Sequence, residues 1–540
     1  MSNGDWRYHR ARQRRAHTGR RGTGRRSEPK SAREAVEALL GEELGRPGFG
    51  AALEAEAGEA ASVAGSRSGP RRDLTELPTF TVDPATARDF DDAVSARREG
   101  DAIRLWIHIA DVAAHVPPGS PLDLEARRRA NSTYAPGAVE PMLPQTLSAE
   151  ACSLVPDVER LAVTAEIELG PGGESRRTSF YRSRIRSDAR LDYDQLDAIF
   201  SGRAAAPDAV AEPLAVARAA AAALGERRGA TSLDVESFEP EFRFDAGGQP
   251  TAARAVAQTE SHRLIERLMI LTNEQVADLL ERKRVPAIYR VHAPPDPQRV
   301  ERLVAQLHDL EIPTPPLRGA LAPQQAAEVA AEASRLVTRE AARRGHGRDA
   351  YTSLVLRSLM QASYSERNSG HAGLGSPAYS HFTSPIRRYP DLVVHRALLA
   401  ALEEGERAPS AAEVREAAAH SSERERESMQ IERRADDVCA AFLLERELRE
   451  RGAEARFEGE VSGLIRAGAF VGFGGELGDV YEGFLPARRI GTERFELNEI
   501  ETALVGAGSG RKLRLGDPVS VQVSGVEAAR GRVDLEPVDE

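Results

Sequence analysis

Cysteine is nearly absent from this sequence: Cys152 and Cys439 are the only two in 540 residues. That excludes a disulfide framework and any zinc or iron–sulfur centre built on cysteines. No apolar run approaches the eighteen or so residues that a membrane span needs. The first thirty residues are too rich in arginine and too poor in apolar residues for a signal peptide. A cytoplasmic protein with no membrane association is expected. No Gly-Lys dipeptide occurs, which removes the Walker A loop, and no His-Glu-x-x-His occurs either. Lysine is scarce (Lys30, Lys283 and Lys512), so nearly all positive charge is arginine.

What is present is a chain of 41% hydrophobic and 29% charged residues, long enough for two to four domains. The net charge is −11, yet residues 1–30 carry ten bases against Asp5 and Glu28, leaving an arm of +8 on a body of −19. Such asymmetry points to a nucleic-acid-touching tail. Residues 1–30 read as a disordered basic arm. Residues 31–72 read as helices and a linker: Ser31-Ala-Arg-Glu34 has the form of a capping box. The helix it opens runs to Leu40, and Gly45 to Gly48 breaks it. A second, alanine-rich helix follows to about Ala61, then a linker from Gly65 to Pro70.

The body spans 73–402. Ile103 to Ile109 alternates as a half-buried strand does, and Leu264–Leu280 and Leu354–Tyr364 have helical spacing. Residues 403–452 form a helical extension, with one long charged helix from about Ala411 to Arg449. From 453 to 540 short alternating strands and glycines replace it, the pattern of a small β-barrel. Gly472 to Gly478 resembles a dinucleotide loop, but its last glycine is one place late and no helix follows, so it reads as a turn.

Two clusters carry chemistry. Asp83, Asp89, Asp91 and Asp92 fall within ten residues, with Arg88 the only internal cation. Crowded carboxylates raise one another's pKa, and a divalent cation removes that cost. Magnesium prefers oxygen ligands, and two such ions can drive an in-line displacement at phosphate. A solvated acidic turn paired with Arg97 and Arg98 is the competing reading. The second cluster runs from Tyr379 to Asp391 and holds Arg387 and Arg388 beside Pro385. Adjacent arginines suit a phosphate clamp, or an ordinary ion pair with Asp391.

Four blocks resemble the RNB catalytic domain of the ribonuclease II and ribonuclease R family. They are Asp83 to Asp92 with Ile107 to Val112; Asn131 to Gly137 with Pro141 to Pro144 and Cys152-Ser-Leu; Leu356 to Ala362 with Gly370-His371; and His381 to Arg396. The tail resembles the S1 RNA-binding domain, through Gly459-Glu-Val461, Gly468 to Val471, Glu482 to Pro486 and Leu515 to Val521. The implied fold is α+β: an RNB catalytic domain, then an S1-type OB-fold barrel, after a short helical N-terminal region.

The resemblance implies a 3′→5′ exoribonuclease acting in RNA turnover. It would degrade single-stranded RNA, processively or distributively, to nucleoside 5′-monophosphates. It assigns one or two Mg2+ ions, with Mn2+ as a substitute, to Asp83, Asp89, Asp91 and Asp92. Arg387, with Arg388 as second choice, would handle the scissile phosphate. Tyr134 would pack on the 3′-terminal nucleotide, and Tyr193 would meet the RNA near its ribose hydroxyls. Glu266 is a weaker substrate contact, because Arg267 stands where relatives often have a second glutamate. In the tail, Phe470 and Phe484 are expected to stack bases, with Arg466, Arg488 and Arg489 near phosphates. His108 and Asp111 are expected to orient a strand and its turn, and Cys152 to be buried. A monomer is expected, and no protein partner is legible. The alternatives are a catalytically silent RNA-binding protein on the same fold and a DNA exonuclease. Family members commonly carry cold-shock-type barrels before the catalytic domain; the residues before Asp73 do not resemble them.

Overall fold

The computed structural model describes residues 29–538 apart from 46–47, 68–69, 229–238, 257, 318, 320 and 476–477. The arm expected over residues 1–30 therefore falls, save for Pro29 and Lys30, outside the described residues. Ser31 caps helix α1 (Ala32–Leu44) by accepting the Glu34 N–H at 3.2 Å, and Gly45 ends it at a φ of 84°. Its apolar face (Ala32, Ala35, Val36, Leu39 and Leu40) is buried against Ile431, Ala435, Val438 and Cys439. Helix α2 (Ala51–Arg67) runs past Ala61 into the expected linker, because its alanine-rich sequence keeps high helix propensity.

Strands β1 (Arg72–Asp73), β2 (Phe80–Asp83), β3 (Asp92–Glu99) and β4 (Ala102–Ala110) open the body. A small hairpin of β5 (Thr133–Ala135) and β6 (Ala138–Glu140) follows, then β7 (Glu159–Leu169), β8 (Ser175–Arg186) and β9 (Ala189–Asp192). Seven of these form one sheet in the order β1-β8-β7-β4-β3-β2-β9. Pairs are antiparallel except at the edges, where β1 runs parallel to β8 and β9 parallel to β2.

The alternation in β4 predicts a strand with one wet face, but only Arg104 escapes full burial. The helix Ala211–Arg228 packs over β3 and β4. The polar residues of β4 and its neighbours satisfy one another. Ser95 bonds Thr79 at 2.7 Å and His108 at 3.1 Å; Thr164 bonds His108 at 2.9 Å and Ser183 at 2.6 Å. Burial pushes His108 down to about 3, so the imidazole is neutral and the chain of hydroxyls costs no buried charge. Asp111 accepts the Ala114 N–H and pairs with Arg71 at 2.6 Å and Arg182 at 3.0 Å, which pins the turn after β4. Cys152 is buried, as expected.

Leu264–Leu280 lies inside the helix Glu260–Lys283. Leu354–Tyr364 is not one helix. It stops at Ser358, Leu359 turns extended, and β13 (Ser363–Ser365) pairs with β12 (Tyr289–Val291), the Tyr364 N–H going to Ser422 Oγ at 2.9 Å. Ahead of the helix Glu260–Lys283, β10 (Glu239–Phe244) and β11 (Pro250–Val256) form a separate hairpin. The charged extension is a single helix, Ala411–Arg451, opened by a capping box of Ser410 and Glu413.

The tail closes into a five-stranded barrel of β14 (Arg456–Ile465), β15 (Gly468–Gly475), β16 (Gly478–Pro486), β20 (Pro518–Glu527) and β21 (Arg532–Pro537). The glycine-rich segment Gly472 to Gly478 belongs to the β15–β16 hairpin, with residues 476–477 outside the description. A smaller sheet of β17 (Phe495–Leu497), β18 (Ala503–Gly506) and β19 (Lys512–Arg514) is inserted before the barrel closes. Barrel residues Val461, Val471, Tyr481 and Leu535 share one core with Leu303, Leu307, Val337, Tyr351 and Leu354 of three body helices. Polar bonds lock that junction: His346 Nδ1 donates to Gly516 O at 2.7 Å, and the Gly347 N–H to Glu460 at 2.6 Å.

Candidate active site

Adjacent antiparallel strands bring the ends of the aspartate run together. Asp83 ends β2 and Asp92 begins β3, and Phe80 faces Val94 across the pair. The connecting loop is fastened from inside. Phe90 is buried, its N–H donates to Ser153 Oγ at 2.9 Å, and that hydroxyl donates to Arg88 O at 2.8 Å.

A second segment approaches from the far end of the body. The Ile386 N–H donates to Asp91 Oδ1 at 2.8 Å, and Arg387 Nε lies 3.4 Å from Asp91 Oδ2. The Asp91 side chain is only 4% exposed and that of Arg387 44%, so the arginine covers the carboxylate and reaches open space beyond it. Arg388 behaves differently. It binds Asp391 through both carboxylate oxygens, at 2.9 and 2.7 Å, and Asp391 is fully buried. Arg388 thus supplies the ion pair that the sequence left as an alternative; both arginines line the cleft, and Arg387 is the more open of the two.

The cleft above has a volume of about 2060 Å³ and is lined by Asp89, Tyr134, Arg190, Arg387, Tyr364 and Glu432 among others. Tyr134 stands 38% exposed and donates its hydroxyl to Asp89 Oδ2 at 2.6 Å. Its backbone N–H is held at 2.8 Å by Glu432, on the long helix, a residue that carried no signal in the sequence.

Electrostatically the cluster is short of positive charge. Burial, and then the charges of Asp92 and Asp89, push Asp83 up to about 8. Burial raises Asp92 to about 6 against the pull of Arg387 and Arg388. Burial also lifts Asp91 well above the usual carboxylate range, opposed by Arg387 and the Ile386 N–H. The buried oxygens Asp83 Oδ2 and Asp91 Oδ2 accept no hydrogen bond. Orphaned carboxylate oxygens beside raised pKa values fit a divalent cation. Among the described residues no three ligand groups already close on one point. Magnesium does not require that, since it keeps several waters and takes few protein oxygens beside a phosphate.

The RNB domain model matches residues 71–404, and the S1 RNA binding domain model matches residues 451–536. The chain belongs to the RNB family. It is 36% identical over 478 residues to ribonuclease R of Aquifex aeolicus, which covers 87% of this chain and 65% of that protein. Identity to ribonuclease R of Vibrio parahaemolyticus is 35% over 485 residues, covering 87% of this chain and 56% of the relative. The chain therefore spans little more than half the length of such relatives. Ribonuclease R of Mycoplasma genitalium, solved in complex with ribose-methylated single-stranded RNA, matches with a TM-score of 0.83 and 25% identity. That match covers 94% of this chain and 78% of the other.

The other predicted positions of this RNB chain divide sharply. Tyr193 lies close enough to Asp92 and Asp83 for their charges to raise its phenol, after burial, but one ring face is stacked on His262 at 3.9 Å. Glu266 is exposed on the helix Glu260–Lys283 and is not part of the cleft lining. Its neighbour Arg267 donates to Ala221 O at 3.0 Å, so the arginine there ties two helices together. Phe470 and Phe484 face each other across β15 and β16 with ring centroids 5.4 Å apart. They are only 4% and 8% exposed, so the expectation of open stacking faces is corrected: both rings are buried. Arg489 is engaged with Ser524 at 2.6 Å, while Arg466 and Arg488 are exposed.

Proposed function

We propose that this RNB chain is a magnesium-dependent 3′→5′ exoribonuclease that degrades single-stranded RNA in RNA turnover. The observation that carries the reading is the meeting of three under-neutralised aspartates, Asp91 buried and Asp83 and Asp92 half-buried, with one half-exposed arginine beneath a single cleft. Divalent ions, when bound, would supply charge neutralisation and an activated water. Asp83, Asp89, Asp91 and Asp92 would hold them. Arg387 is oriented by its approach to Asp91 and by Ser384 Oγ, 3.1 Å from a terminal nitrogen. It can therefore stabilise charge on a phosphate oxygen in the cleft. Tyr134 presents an aromatic face at the cleft wall, which suits a terminal base of any identity. Its hydroxyl leans on Asp89 and fixes where that base is seated.

The test is turnover of labelled RNA and DNA oligonucleotides with and without magnesium. RNA shortened stepwise from its 3′ end, only with magnesium and with DNA intact, is the expected result. Binding without shortening would instead support the catalytically silent RNA-binding protein, and equal loss of DNA the DNA exonuclease.

A further inference from the structure

We propose that Arg190, together with Ser153, is a positioning residue that holds the loop between Asp83 and Asp89 so that its carboxylates share one cation. The proposal rests on reading the cluster as a divalent-metal site. Arg190 belongs to β9, which pairs in parallel with β2 so that Arg190 stands opposite Thr81 and Asp192 opposite Asp83. This register delivers the guanidinium to the point where the chain leaves the sheet. There one terminal nitrogen donates to Pro84 O at 3.1 Å and Ala85 O at 2.9 Å, the two carbonyls directly after Asp83.

The other end of the loop is gripped by Ser153, fully buried, through the Phe90 N–H and the Arg88 carbonyl. The two grips meet at one residue: Ser153 holds the Phe90 N–H, and the Arg190 guanidinium lies 5.0 Å from the Phe90 ring centroid. The Arg190 charge also opposes the mutual repulsion at Asp83. Its Nε is buried without a hydrogen-bond partner, so this nitrogen is shut off from the cleft that the residue lines. Lysine offers a single flexible ammonium that could reach the two carbonyls, but it lacks the planar guanidinium that lies over a ring. The arrangement is that of groups behind a metal site, which orient ligands without touching the ion.

Mn2+ binding to the full-length, metal-free chain, measured by electron paramagnetic resonance without RNA, tests this. Arg190→Ala should weaken Mn2+ binding about tenfold to a hundredfold, the range for residues that orient metal ligands. Arg190→Lys should recover part of the loss, and Ser153→Ala should weaken binding in the same direction. RNA affinity in a chelator should stay within twofold of wild type for Arg190→Lys and Ser153→Ala, which keep the positive charge of the cleft. If Arg190→Lys and Arg190→Ala bind Mn2+ like the wild type while Asp91→Asn does not, the positioning role is wrong and the metal reading stands. If the wild type binds no Mn2+, the metal reading itself falls. A drop in chelator-insensitive RNA affinity for Arg190→Lys would make Arg190 a direct strand contact and overturn the positioning role.

Discussion

The carboxylate end of the sheet and the junction beneath the barrel are built to opposite standards. At the first, a buried and a half-buried carboxylate crowd together, Asp91 and Asp83 each keep an oxygen that accepts no hydrogen bond, and their pKa values are pushed upward. At the second, an apolar core runs without a break from barrel to body helices, and among the described residues of the barrel and of the helices that carry Leu303, Val337 and Tyr351 no buried side-chain nitrogen or oxygen lacks a hydrogen-bond partner. Folding alone favours the second arrangement, because a buried unpaired charge costs several kcal/mol. The contrast teaches where a ligand would be held: the under-neutralised carboxylates lie beneath the cleft, and the barrel is anchored rather than tethered.

The comparison can be broken most forcefully at the junction. Ending the chain after Gly452 would uncover Leu303, Leu307, Tyr351 and Leu354 of the shared core. The truncated body should therefore melt far below the full chain, or be recovered only in aggregates. A truncated body with an unchanged melting temperature would make the barrel an independent module after all.

The paired arginines give the next largest effect. Arg387→Ala should lower single-turnover cleavage by roughly 10²–10³, the loss of a group acting on transition-state charge, with little change in melting temperature. Arg388→Ala should act the other way round, because it strands the buried Asp391 carboxylate, at about 3–5 kcal/mol of stability. Melting curves and cleavage rates on the two variants separate the roles.

Proton linkage offers a smaller test of the same carboxylates. Asp83 titrates near 8 and Asp92 near 6 in the folded chain, against roughly 3.9 for an unfolded aspartate. The folded state then binds more protons between those values. The favourable contribution is complete below the unfolded pKa and is lost as pH rises through 6 and 8. In scanning calorimetry without divalent ions, wild type should fall relative to Asp83→Asn by roughly 1–3 °C between pH 5 and 8.5. Added magnesium should close the gap. The smallest effect belongs to Glu266→Ala, which should change RNA binding and cleavage less than about twofold, since the residue lies off the cleft lining.

These outcomes follow the divide between what was legible in the sequence and what was not. The aspartate run was legible because it is local: four carboxylates in ten residues need a reason wherever they fold. The barrel was legible from its alternation and glycines. The partition of Arg387 from Arg388 was not, since it depends on how the Ser384–Arg388 turn aims two adjacent side chains. Nor was the burial of Phe470 and Phe484, because alternation assigns residues to opposite strand faces without saying what covers each face. Glu432 came to the site through long-range packing from a helix too ordinary locally to stand out, and Ser153 and Arg190 act through pairings of a loop and a strand edge with the aspartate loop that sequence order does not display. The half-buried reading of β4 failed for the same reason: a neutral histidine and hydroxyls that pair across strands can be buried as fully as leucine.

The central claim is that the carboxylate cluster performs hydrolysis and is not needed for RNA binding. Asp91→Asn tests it most directly, because asparagine keeps a carbonyl to accept the Ile386 N–H while removing the charge that Arg387 covers. RNA affinity and single-turnover cleavage should be measured on the same labelled oligonucleotide in saturating magnesium. Affinity kept or raised, with cleavage down by roughly 10²–10³, is the predicted result. Cleavage within about tenfold of wild type, or binding lost together with cleavage, would contradict it.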